Sequence, residues 1–174
     1  MHTRTALGKD CSVAVCNAQL VPFLHVRRTP TRLLEAIGDV HRTPLAEWVA
    51  RGRERAFQAV AIDGADAACI ASFITAAEAY LGLPYDGRYR LEKDAIYCSE
   101  LIHHAWVDAG NRPLAEAVRL EQLAWRPHEA LIRRIEGGAL PLERELITPV
   151  ALARSAQVRV VHATGLFAQP SAAP

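Results

Sequence analysis

Apolar positions recur with two different periods along this chain, and each period marks a different kind of element. From about Ala65 to Leu81 the residues Ile70, Phe73, Ile74, Ala77 and Leu81 fall three and four apart. That spacing is the stripe of an amphipathic helix, and Gly82 stands where such a helix ends. A second helix is predicted from Cys98 to about Ala109, with Cys98, Leu101, Ile102, Ala105 and Ala109 as its apolar stripe and Gly110 after it. Shorter helices are expected from Pro44 through Ala50, with Thr43 as N-cap, from Pro127 to Ile135 before Gly137-Gly138, and from Pro149 to Arg154. Runs that read as strands are Ser12 to Val15, Leu20 to Val26, Leu33 to Ile37, Ala56 to Ile62 and Val158 to Val161. Between the two main helices, Pro84, Gly87 and the charged run Arg88 to Asp94 read as a turn and a hairpin-like connection. Strands and helices are partly segregated, which favours an α+β fold over a doubly wound sheet. The 174 residues suit one domain, residues 1–174, with 1–20 and 169–174 poorly defined as structure.

Composition narrows the function classes. Half of the chain is apolar and the net charge is +1, so nothing broad in its electrostatics selects nucleic acid or an anionic membrane. No transmembrane segment and no signal peptide is read. The four cysteines, Cys11, Cys16, Cys69 and Cys98, are irregularly spaced and too few for a disulfide scaffold. Cys11 and Cys16 do not have the spacing of a zinc pair, so neither a metal nor a cofactor is expected. A reducing compartment follows, cytoplasmic as the chain stands; a leader missing upstream would instead place the protein in the periplasm or cell envelope.

The stretch Tyr97-Cys98-Ser99-Glu100-Leu101 carries the candidate chemistry. Cys98 falls in the first turn of a predicted helix, where unpaired N–H groups and partial positive charge favour thiolate over thiol. It also lies on the apolar stripe, where most free cysteines simply pack, so position alone leaves both roles open. His103 and His104 lie about 140° and 240° around the helix from Cys98, so a catalytic base must come from elsewhere. Glu100 suits the helix N-terminus electrostatically. Tyr85 and Asp86 either line a cleft or belong to a turn at Pro84-Tyr85-Asp86-Gly87. Cys69 reads as packing, His41 as part of an exposed turn, and His128 and His162 as structural or solvated.

Several segments together resemble the circularly permuted papain-like cysteine hydrolases, the YiiX/YaeF-like group of the NlpC superfamily, related to lecithin retinol acyltransferase. They are Leu34-Glu35-Ala36, Val40-His41-Arg42-Thr43-Pro44-Leu45 with Glu47-Trp48, Gly82-Leu83-Pro84-Tyr85-Asp86, Tyr97-Cys98-Ser99-Glu100-Leu101 and Leu146-Ile147-Thr148-Pro149. The resemblance implies a permuted papain-like fold, an antiparallel sheet packed against helices. It implies Cys98 as nucleophile and His25, of the pair His25-Val26, as its base on a core strand. Glu35, on the following strand, is implied as the residue that orients the imidazole. The Cys98 N–H, with one further donor, is implied as the oxyanion site. Tyr85, Asp86 and Tyr97 are the candidate substrate-binding residues. This chain departs from the family in having Arg27-Arg28 after His25-Val26, where a glycine is usual, and only ten residues from His25 to Glu35.

The expected function is hydrolysis of an amide bond in a peptide, a cell-wall peptide or a related amide. A thiol acyltransferase or lipid hydrolase would use the same residues on an acyl-lipid. A third alternative keeps the fold as a binding module without catalysis. The oligomeric state is not legible in the sequence.

Overall fold

The computed structural model describes residues 13–16, 23–25 and 32–165. Six strands form one antiparallel sheet: β1 (Val13–Cys16), β2 (Phe23–His25), β3 (Arg32–Ile37), β4 (Asp39–Pro44), β5 (Gln58–Ile62) and, last in sequence, β8 (Val158–Ala163). Their order across the sheet is β4-β3-β2-β1-β5-β8. Two short strands, β6 (Val118–Arg119) and β7 (Glu145–Leu146), pair separately. The helices are α1 (Leu45–Arg51), α2 (Ala67–Glu78), α3 (Cys98–Asp108), α4 (Glu129–Glu136) and α5 (Pro149–Ala153).

The alternation of side chains along β3 divides the sheet into two faces. Leu34 and Ala36 join Val40 in the main core, packed against Ile70, Phe73 and Ala77 of α2 and Leu101, Ile102, Ala105 and Trp106 of α3. Leu33, on the other face, packs with Trp48 of α1 and Ala59 of β5. α3 therefore lies on one side of the sheet and α1 on the other. Gly38, at φ +74°, makes the tight β3–β4 turn, a backbone conformation that side chains other than glycine rarely adopt.

α2 starts where Asp66 accepts the Cys69 N–H at 2.8 Å. It ends at Glu78, three residues short of the expected Leu81, because the chain tightens into bonds such as Leu81 N–H to Glu78 C=O before Gly82 at φ +85°. The Gly82–Tyr85 segment then runs along the outer edge of β4. The Val40 N–H donates to Leu83 C=O at 2.9 Å, Gly82 N–H to Val40 C=O at 2.8 Å and Tyr85 N–H to Gly38 C=O at 2.9 Å. A further pair of backbone bonds brings the start of α3 beside it: Ile96 N–H to Pro84 C=O at 2.9 Å and Asp86 N–H to Ile96 C=O at 3.4 Å.

The structure corrects the sequence reading in three places. Residues 39–44 form strand β4, so His41 lies in a strand rather than an exposed turn, and Thr43 does not cap α1; its hydroxyl donates to the Glu35 carboxylate instead. This strand is easy to miss because it is half exposed and carries few apolar residues among Asp39, His41 and Arg42. The Arg88–Asp94 run holds no strand, only turns gathered around Asp86. The paired β6 and β7 were not anticipated, since two-residue strands leave no period to read. Cys11, Val26, Arg27, Arg28 and residues 169–174 lie outside the described residues.

Candidate active site

Cys98 is the first residue of α3, with extended Tyr97 (φ −100°, ψ 169°) as its N-cap, and it is buried. The abrupt change from extended to helical backbone sets the residue at the end of the helix where N–H groups are unpaired. Its two neighbours are both fastened to one distant residue. The Ser99 hydroxyl donates to Ile147 C=O at 2.8 Å, and the Ile147 N–H donates to the Tyr97 phenol oxygen at 2.8 Å. The turn that carries the sulfur is thus held from both sides. Ser99→Ala leaves the buried Ile147 carbonyl without its donor, so it is expected to lower stability by about 1–3 kcal/mol. Denaturant unfolding at unchanged m-value checks that expectation.

Tyr85 reaches the same sulfur. Burial, followed by its interactions with the neighbouring Tyr89 and Cys98, pushes its phenol pKa up well beyond the ordinary tyrosine value. A phenol held protonated beside the thiol is a donor available to a thiolate or to a developing oxyanion. Burial also pushes Tyr97 up, against the opposing pull of the Ile147 N–H. The Tyr89 ring packs edge-on against both, with centroids 6.3 Å from Tyr85 and 5.2 Å from Tyr97. Tyr89 itself sits at φ +56°, a strained backbone for a bulky residue and the kind of outlier that concentrates at working sites.

Past Tyr89 opens a small cleft of about 80 Å³, lined mainly by apolar side chains including Leu120, Ile132, Ile135, Pro141 and Leu146. Arg144 closes one wall: it meets both Glu136 oxygens at 2.5 and 2.9 Å and Arg88 C=O at 2.6 Å. That pairing holds the Glu136 carboxyl below the ordinary glutamate value.

The remaining candidates fall in different places. Asp86 is buried, but its oxygens accept Arg88 N–H at 2.8 Å and Arg90 N–H at 2.7 Å, which makes it the tie of its own turn. His25 lies in β2 at the register position of Arg32. Glu35 is three positions further along β3, an odd separation that puts it on the opposite face from Arg32. Its carboxylate accepts from the Thr43 hydroxyl and from Arg51 of α1 at 2.5 Å, with His41 Nε2 3.5 Å away. The structure therefore gathers Cys98, Tyr85, Tyr89 and Tyr97 on the α3 side and puts Glu35 among the residues that seat α1. Glu35 meets an arginine and a threonine, with the His41 imidazole beyond them, on the face of β3 that carries α1.

The clamp through Ile147, the packing of Tyr89 and the contact of His104 with Glu100 were not anticipated from sequence. Only the Glu100–His104 pair had a readable signal, the i, i+4 spacing of a carboxylate and an imidazole on one helix.

Among the described residues no group of three or more His, Cys, Asp or Glu is placed to hold a metal ion, and no helix is long and apolar enough to cross a membrane. Comparison with known proteins gives three findings. Residues 15–162 match the family model described as permuted papain-like amidase enzyme, YaeF/YiiX, C92 family. The uncharacterized protein YiiX of Escherichia coli strain K12 is 27% identical over 142 residues, covering 80% of this chain and 70% of that protein. A crystal structure described as metalloprotein YiiX from Escherichia coli O157:H7 superposes with a TM-score of 0.82 at 22% identity, covering 88% of this chain and 97% of the other. The fold is accordingly α+β with permuted papain-like topology. The described donors do not make a metal site of the kind expected of a metalloprotein.

Proposed function

The chain belongs to the permuted papain-like amidase family, the YaeF/YiiX or C92 family, and from that membership we propose that it hydrolyses an amide bond with Cys98 as nucleophile and His25 as base. The observation that carries this reading is the setting of Cys98: the first residue of α3, its neighbours clamped on Ile147 and the Tyr85 phenol on its sulfur. In the proposed reaction His25 takes the thiol proton while sulfur bonds to the carbonyl carbon. The carbonyl oxygen becomes an oxyanion, accepted by the Cys98 N–H and the Tyr85 phenol. Collapse breaks the C–N bond, and His25 returns the proton to the departing amine. Water, deprotonated by the same imidazole, then cleaves the thioester and restores the thiol. In this reading Tyr85 touches the reacting atoms, Tyr97 aims the nucleophile and Asp86 shapes the loop that presents Tyr85. Glu35 acts at a distance by seating α1 on the sheet. A peptide or related amide is the substrate class that family membership supports.

The apolar cleft beyond Tyr89 supports a second reading, in which the acyl side of the substrate is a lipid chain and the same thioester forms. Release of a fatty acid rather than an amine from a panel of lipid and peptide amides separates the two.

The test of the nucleophile and its base is the pH dependence of Cys98 alkylation by iodoacetamide, read at that residue by peptide mass spectrometry. In the parent, Cys98 is expected to react well below pH 8.5, the ordinary thiol midpoint, and His25→Ala is expected to lose that low-pH reactivity. An ordinary thiol profile, the same in both proteins, would sink the pair and favour the binding module.

A further inference from the structure

The buried carboxylate nearest the nucleophile takes no part in the mechanism above. Glu100 is fully buried, two residues beyond Cys98 on α3. One of its oxygens accepts the Tyr97 N–H at 3.2 Å and the other meets His104 Nε2 at 3.1 Å. The first contact completes a capping box. It also holds a negative charge against the backbone that carries the sulfur, and an unbalanced carboxylate there opposes both thiolate and oxyanion. Asp86, from the neighbouring loop, adds to the negative field at Glu100.

A buried charge needs a partner. Among the described groups in contact with Glu100, the imidazole of His104 is the one able to carry a positive charge, and its side chain is only 15% exposed. His103 is a poor substitute. Its ring lies edge-on to His104 at 5.4 Å, its Nδ1 is buried without a hydrogen-bond partner, and burial lowers its pKa. Glu116 and Lys93 act on His103 with opposite signs. Burial pushes Glu100 up, and the bonds from His104 and Tyr97 pull it back down.

We propose that His104 is a positioning residue: it holds the Glu100 carboxylate on the Tyr97 N–H and balances its charge, so that Cys98 does not face an uncompensated anion. This rests on Cys98 as the nucleophile. It adds a charge pair at the α3 first turn, which none of the catalytic steps requires as a proton carrier.

The test uses the full chain and the pH midpoint of Cys98 alkylation, with thermal melts to confirm folding. His104→Gln keeps a hydrogen-bond donor but removes the charge, and is expected to raise the midpoint by about one pH unit. Adding Glu100→Gln removes the anion as well and is expected to return the midpoint close to that of the parent. A midpoint unmoved by H104Q, or one that stays raised in the double variant, overturns the proposal. If H104Q does not fold, E100Q alone decides: a midpoint at or below the parent's supports the pair, and a higher one overturns it. A parent midpoint near that of an ordinary thiol would count against Cys98 as nucleophile, while the difference between parent and variants would still judge His104.

Discussion

Cys98→Ala is expected to fold like the parent and to lose amide hydrolysis by a factor of about 10⁴ or more, the scale of loss when a covalent nucleophile is removed. The substitution deletes one atom from a buried position whose neighbours keep their own anchors, Tyr97 and Ser99 on Ile147 and Tyr97 on Glu100. Stability should therefore barely move while turnover disappears. The check is a single-turnover assay on an amide substrate found by screening the parent, beside a melting curve for each protein. Residual activity within tenfold of the parent would remove Cys98 from the mechanism, whatever its surroundings.

The largest loss of stability is expected from Trp106→Ala. Trp106 is buried at the centre of the α2–α3 contact, with its ring edge-on to Phe73 at 5.0 Å and its indole N–H donating to Arg112 C=O at 2.8 Å. Truncation removes the packing, leaves a cavity and frees a carbonyl, for about 3–5 kcal/mol in total. Urea unfolding followed by far-ultraviolet circular dichroism measures it. A loss under about 1.5 kcal/mol would mean that the two helices close over the gap, and that their packing is looser than the structure describes.

The parts of the molecule that could be read from sequence are those whose signal is local. The stripe Ile70, Phe73, Ala77 and the stripe Leu101, Ile102, Ala105 announce α2 and α3, and both sets enter one core. β3 was legible as an apolar run but its two faces were not, since Leu33, Leu34, Glu35 and Ala36 are all buried and no alternation marks them. The Arg51 partner of Glu35 could be assigned only once α1 was seen to lie beneath it. β4 escaped because its edge is covered by Gly82–Tyr85, a partner more than forty residues away that no local pattern encodes. At the site, the short motif around Cys98 pointed to a nucleophile. The Tyr85 contact and the Ile147 clamp depend on tertiary placement, and their residues read separately as a turn and a short late motif.

The anchors of Tyr97 and Ser99 lie 50 and 48 residues further along the chain. Synthesis runs from the N-terminus at about 5–20 residues per second, so roughly 2–10 s separate the addition of Cys98 from that of Ile147. Throughout that interval the sulfur is present but its seat is not. On the ribosome the order of events is fixed: sheet strands β1 to β5 and helix α2 come first, α3 follows, and the residue that steadies its first turn arrives only after α4 and β7. A nascent chain released before Ile147 carries the cysteine without its two flanking ties, and only a polypeptide that extends past Ile147 can set it in place.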